Sequence, residues 1–324
     1  MSDILPVLAL GGALVVFLWI DLKLFARGRE PSFREGLLWS IGWLVLSLLA
    51  ALVVLAFEGP EDAITYTTVY LVERSLSLDN LFVFLLLFAY FGVPMEYRAG
   101  LLFWGIVAAL ALRGLAILGG VALIEQFHFV IYILGATLLI LAYRIFRGVA
   151  ENVDPDKNLF VRLVRKVFPV TGEYHGKHWF VRIRGQRHVT PLFLCLAAIV
   201  FADIAFAIDS IPAAFGITRD PLLIWMGNVF ALLGLRALFV LLESLIVRFR
   251  YLDETIAIVL AVVAVKLLIE DIYKVSPLAN LGAVLALLAG GIVASVIADR
   301  RDARRGKSPD EEGRQARLRP SENP

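Results

Sequence analysis

Apolar runs about twenty residues long, parted by short polar stretches, set the rhythm of this chain. Nine of them fall near 4–24, 36–57, 64–91, 98–123, 128–146, 190–216, 221–246, 253–273 and 277–298. Each is long enough to cross ~30 Å of hydrocarbon as an α-helix. Strands of a membrane barrel are shorter and alternate in polarity, unlike these runs. The expected fold class is an all-α polytopic membrane protein with about nine transmembrane helices. The first run lacks a basic leader and a small-residue cleavage site, so it is expected to be a retained span.

Lys and Arg concentrate in every second connection. The first holds Lys23, Arg27, Arg29 and Arg34, and the second holds Glu58, Glu61 and Asp62 with no basic residue. Stretch 147–189 is basic (Arg147, Arg162, Arg165, Lys166), as is the tail (Arg300, Arg301, Arg304, Arg305). The positive-inside rule then predicts the N-terminus outside and the C-terminus in the cytoplasm. The expected location is the cytoplasmic (inner) membrane, multi-pass. Within the long loop, LFVRLVRKVFPV has the spacing of a surface helix on anionic lipid, and WFVRIRGQRHVT reads as a hairpin around Gly185. His175, His178 and His188 read as solvated loop residues, and the tail from Asp299 as disordered.

Runs three to five resemble runs six to eight. An acid followed six residues later by Asp opens each half: Glu73 and Asp79 in ERSLSLDNLFVF, Asp203 and Asp209 in DIAFAIDSIPA. WGIVAALALRG (104–114) then matches MGNVFALLGLRA (226–237), and Phe127 to Arg144 has the spacing of Phe249 to Lys266. Three spans is an odd number, so the second unit enters from the opposite side; inverted repeats of this kind are a recurrent transporter architecture. The expected organisation is 1–63 peripheral helices, 64–146 first repeat, 147–189 basic cytoplasmic loop, 190–273 second repeat, 274–298 last helix and 299–324 tail.

An ionised carboxylate at mid-bilayer costs about 2.5–3.5 kcal/mol, so matched intramembrane acids point to a cation site. Asp79, Asn80, Asp209 and Ser210 form an all-oxygen set suited to a hard divalent cation, with Asn228 a further oxygen. Six residues turn a helix by ~600° and advance it ~9 Å, so Glu73 and Asp79 cannot chelate one ion from an unbroken helix. Either the paired acids mark successive positions on a path, or the helix breaks. Pro212 frees the carbonyl of Ile208 beside Asp209, a second route to a ligand. Glu73 and Asp203 are candidate gate or relay residues. Arg113 and Arg236 read as structural partners of the acids. Asp21, Glu243, Lys266, Glu270 and Asp271 read as snorkelling or helix-pairing groups, and Ser75 and Ser77 as bonded to their own helix.

Composition narrows the class further. The 324 residues are 60% hydrophobic and 19% charged, with mean hydropathy +0.80, values of a polytopic helical membrane protein. The net charge of +2 says little about partners, and no nucleic-acid partner is expected. Cys195 is the sole cysteine, which excludes an intramolecular disulfide.

These motifs resemble the TerC/Alx family of integral membrane proteins. The resemblance rests on ERSLSLDNLFVF at 73–84, FAIDSIPAAFGITRDP at 206–221, GNVFALLGLRALFVLLE at 227–243 and DPDKNLFVRLVRKVFPVT at 154–171. It implies Mn²⁺ export, with Asp79 and Asp209 as the motif acids, and a historical tie to tellurite resistance. One departure is visible: the Glu usual shortly before the second motif's first Asp is absent, its positions being Val200 and Ala202. The expected function is thus a transporter exporting a divalent cation, with the lipid bilayer as its surroundings, possible proton coupling, no resident cofactor and no enzymatic activity. The alternative is a non-transporting membrane scaffold in a metal or tellurite stress response.

Overall fold

The computed structural model describes residues 12, 16, 17, 19, 20, 32–119, 129–146, 169–183 and 185–304. Its helices are α1 (Phe33–Phe57), α2 (Pro60–Tyr90), α3 (Met95–Gly119), α4 (Phe129–Phe146), α5 (Pro191–Ile217), α6 (Pro221–Leu233), α7 (Leu235–Arg248), α8 (Leu252–Ile269) and α9 (Pro277–Arg304). They fall on the second to ninth expected runs, with α6 and α7 sharing the seventh. The first run, most of the surface helix expected at 159–170 and the tail beyond 304 lie outside the described residues, apart from helical positions near residue 16 and non-helical Pro169 and Val170, the latter bridged to Val189.

Local chemistry sets the helix starts. Ser32 Oγ accepts from the Glu35 N–H at 3.3 Å while Glu35 Oε2 accepts from the Ser32 N–H at 2.8 Å, a capping box at the head of α1. Proline opens α2, α5, α6 and α9, where a missing N–H costs no helical bond. The Asp220 carboxylate caps α6 through the N–H groups of Leu222 and Leu223.

Among the described residues, five helical segments are long and apolar enough to cross a membrane: Phe33–Phe57, Met95–Gly119, Pro191–Ile217, Pro221–Ile246 and Pro277–Asp302. α2 and α8 fall short by their charge, α2 through Glu61, Asp62, Glu73, Arg74 and Asp79, α8 through Asp253, Glu254 and Lys266. Of these, Glu73, Asp79 and Lys266 are buried, and α2 packs against α5 and α6, as α3 packs against the same two helices. α4 pairs with α8, α9 lies against α8 and α2, and α1 covers α7 and α2. The core is one large apolar cluster running from Val69 and Leu81 of α2 through Ile106, Ile199, Leu232 and Leu260.

α5 runs unbroken through Pro212, which has no N–H to give the Ile208 carbonyl, so the freed carbonyl sits within a continuous helix. The break lies instead in the seventh run, at Gly234. Arg74, reaching across from α2, donates to the Ala231 carbonyl at 2.7 Å and the Gly234 carbonyl at 3.5 Å. A Cβ on Gly234 would meet that guanidinium at 2.6–2.9 Å, so glycine makes room for the charge that satisfies the broken backbone.

The hairpin expected around Gly185 is present. Strands β1 (Phe180–Ile183) and β2 (Gln186–Val189) pair antiparallel, Phe180 opposite Val189, and Gly185 takes φ +82°. It docks through Tyr174, which donates to the Phe91 carbonyl at 2.6 Å; burial pushes this phenol's pKa up. The tail expected to be disordered from Asp299 continues as helix to Arg304, where Asp302 pairs with Arg250 at 3.0 Å.

Candidate functional site: two buried ion clusters

The four motif acids lie inside the helix bundle and sort into two clusters. In the first, Arg113 of α3 sits between Glu73 of α2 and Asp203 of α5, all of them buried. Arg113 Nη1 donates to Glu73 Oε2 at 2.7 Å, to Asn228 Oδ1 at 2.7 Å and to Ser210 Oγ at 3.2 Å; Nη2 reaches Asp203 Oδ1 at 3.4 Å. The Asn228 amide is oriented by its own nitrogen, which donates to the Ile224 carbonyl at 3.0 Å. The guanidinium is thus held by four oxygens from three helices, a planar fork in a fixed cradle.

In the second cluster, Lys266 of α8 sits between Asp79 of α2 and Asp209 of α5. Its Nζ donates to Asp209 Oδ2 at 2.7 Å and lies 3.8 Å from Asp79 Oδ2. Asn280 of α9 donates through Nδ2 to the same Asp79 oxygen at 2.8 Å. The Asp209 side chain is 19% exposed, against 2% for Asp79. Glu270, just past the end of α8, is close enough to Asp209 and Lys266 to interact with both electrostatically.

The arrangement decides between the two alternatives left by the six-residue spacing. Since α2 and α5 are both continuous, Glu73 and Asp79 serve different cations, as do Asp203 and Asp209. The expected oxygen set divides accordingly. Asp79 and Asp209 come together, whereas Ser210 and Asn228 turn to Arg113. Asn80 is buried beside Asp79 in sequence, and neither polar atom of its amide has a partner among the described residues. Asp79 Oδ1, Glu73 Oε1 and Asp203 Oδ2 are likewise without partners there. Ser75 and Ser77 bond the Leu71 and Glu73 carbonyls of their own helix, as expected. Glu243 pairs with Arg98 at 2.5 Å, also as expected. Arg236 is buried over the Phe103 ring, 5.8 Å from its centroid.

Lys266, read as a snorkelling or helix-pairing group, does the second: it is buried, bonds Asp209 of α5 at 2.7 Å and lies 3.8 Å from Asp79 of α2. Its mid-run position was the available signal. Asn280 and the capping role of Arg74 carried no comparable signal, since both depend on which helices meet. No three His, Cys, Asp or Glu side chains among the described residues converge as a ready-made metal cage. His175 and His188 instead face nearby backbone carbonyls at 3.0 and 3.1 Å.

Apolar helices of membrane-spanning length around a charged interior define an integral membrane protein of the all-α class. The chain belongs to the TerC family of integral membrane proteins, whose model matches residues 58–303. It is 38% identical over 287 residues to "Uncharacterized membrane protein STKORF319" of Myxococcus xanthus, covering 88% of this chain and 90% of that protein. It is 36% identical over 295 residues to "Putative membrane-bound redox modulator Alx" of Escherichia coli strain K12, covering 87% and 92%. A protein of the same name in Photorhabdus laumondii is 34% identical over 293 residues. No solved structure matches the chain.

Proposed function

We propose that this protein exports a divalent cation across the cytoplasmic membrane, with Mn²⁺ the cargo, through a site formed by Asp79 and Asp209. One observation carries the reading: carboxylates from two different helices face a single buried cation position, held here by the Lys266 ammonium. The unpartnered Asp79 Oδ1 and the unpartnered Asn80 amide add unused oxygen valence at this end of α2. Such donors are hard, which favours Mg²⁺, Ca²⁺ or Mn²⁺ over soft metals. Mn²⁺ is chosen within that group on the family resemblance.

The architecture of the proposal is nine spans with an inverted three-helix repeat, N-terminus outside, and two rocking states that expose the site alternately. Its support is an exchange of equivalent contacts. A Cβ on Gly105 of α3 would meet Ile199 of α5 at 2.9 Å, and a Cβ on Gly227 of α6 would meet Val69 of α2 at 2.6 Å. Gly105 matches Gly227 in the repeat, and Val69 matches Ile199, since each lies four residues before its motif's first acid. Each half therefore packs the same glycine on the same position of the other half, at a close helix approach.

A non-transporting membrane scaffold is the second reading. It is favoured by the closure of both acid pairs with fixed side-chain cations, as structural ion pairs require. The name of the Alx relatives raises redox chemistry; here the single buried Cys195 cannot form an internal dithiol couple.

The test compares metal content of cells in excess Mn²⁺ carrying wild type, Asp79→Ala or Asp209→Ala at equal membrane abundance. Lower cellular Mn with wild type and with neither variant is the expected result. Well-folded variants that lower Mn as wild type does would overturn the site, and a wild type that changes no metal would favour the scaffold.

A further inference from the structure

Lys266 lies where the proposed cargo must go. Its ammonium bonds Asp209 at 2.7 Å and stands 3.8 Å from Asp79, so a divalent ion shared by these carboxylates would have to displace it. Beyond it, Glu270 interacts electrostatically with Lys266, and Glu270 Oε2 has no partner among the described residues. Groups facing the ammonium thus come from α2 (Asp79), α5 (Asp209) and the end of α8 (Glu270), with Asn280 of α9 on Asp79.

We propose that Lys266 is a tethered counter-cation of the transport cycle: it fills the metal position in the empty protein and swings toward Glu270 when the metal binds. The proposal rests on the export reading above. Its physical basis is charge. An empty carrier must return through the membrane with Asp79 and Asp209 compensated, because two bare carboxylates at that depth are strongly disfavoured. The ammonium supplies that compensation and competes with the metal for the same oxygens. Its flexible stem and point charge suit a group that must leave, whereas a guanidinium fork would grip both acids.

The experiment uses purified full-length protein in liposomes and measures Mn²⁺ binding, exchange of internal for external Mn²⁺, and net Mn²⁺ efflux. Removing an internal competitor raises apparent affinity by the reciprocal of the fraction of time the site stood free, so with the ammonium in place about nine-tenths of the time or more, Lys266→Gln is expected to bind Mn²⁺ about tenfold or more tightly. It should keep exchange, which never visits the empty carrier, and lose net efflux. Lys266→Arg keeps the positive charge and is expected to bind Mn²⁺ about tenfold or more weakly, through its two-pronged hold on the carboxylates. A purely structural lysine would not move the two affinities in opposite directions. The proposal fails if Lys266→Gln keeps wild-type affinity, or if it loses exchange along with net efflux. Should Lys266→Gln not fold, an unchanged affinity in Lys266→Arg overturns the idea by itself. A wild type that neither binds nor exchanges Mn²⁺ removes the export reading instead, whatever the variants do.

Discussion

The Arg113 and Lys266 clusters are made from the same parts, yet they are closed differently. Each takes one acid from α2 and one from α5, one cation from a further helix and one asparagine amide. Asn228 turns its oxygen to the cation, accepting from Arg113 at 2.7 Å, while Asn280 turns its nitrogen to a carboxylate at 2.8 Å. Arg113 is fully buried and meets four acceptors through its two Nη atoms, its Nε lacking a partner among the described residues, whereas Lys266 makes one short bond, lies 3.8 Å from Asp79 and faces a partly exposed Asp209. A guanidinium carries a permanent charge in a rigid fork, and an ammonium is a mobile point charge. Similar acid pairs therefore yield a pin that ties α2, α3 and α5 together and a looser position suited to exchange.

The sharpest way to break this contrast is Arg113→Ala. It leaves Glu73 and Asp203 buried without compensation, and removing one member of such a pair costs about 3–5 kcal/mol. Thermal unfolding of detergent-solubilised protein should show a large loss; near wild-type stability would end the view of Arg113 as a pin. Next come the two asparagines. A hydrogen bond to a charged group contributes about 1.5–3 kcal/mol, so Asn228→Ala should lower stability by that order. Asn280→Ala removes a donor from Asp79 and should change Mn²⁺ affinity more than stability. Paired melting and binding curves check this, and equal effects of both variants on both readouts would erase the distinction. Smallest is Arg98→Ala, outside both clusters. Its partly exposed pair with Glu243 contributes about 0.2–1 kcal/mol, so the melting temperature should barely move and Mn²⁺ flux should hold.

Particular residues show what could be read in advance. The helices at 33–57 and 191–217 were visible as apolar runs of spanning length, since hydrocarbon demands about twenty predominantly apolar residues in one stretch. The motif acids stood out because a charge in such a run is costly and seldom incidental. Lys266 was visible mid-run as a snorkelling or helix-pairing group, but nothing along the chain shows that the acids it pairs with are Asp79 of α2 and Asp209 of α5. The break at Gly234 was hidden for a related reason. Leu233, Gly234 and Leu235 read as an ordinary apolar stretch, and the break is held by Arg74 from more than 150 residues earlier in the chain.

Composition and spacing suffice for the class of the chain, its helices, and the pairing of Glu73 with Asp79 and of Asp203 with Asp209 as repeated motifs. These follow from hydrophobic length and helical periodicity, which are local along a chain. Which acid shares which cation is not local. Glu73 with Asp203 and Asp79 with Asp209 meet only because α2 and α5 pack together, with Arg113 entering from α3 and Lys266 from α8. Burial weakens the screening of those charges, so the geometry of helix packing assigns their partners.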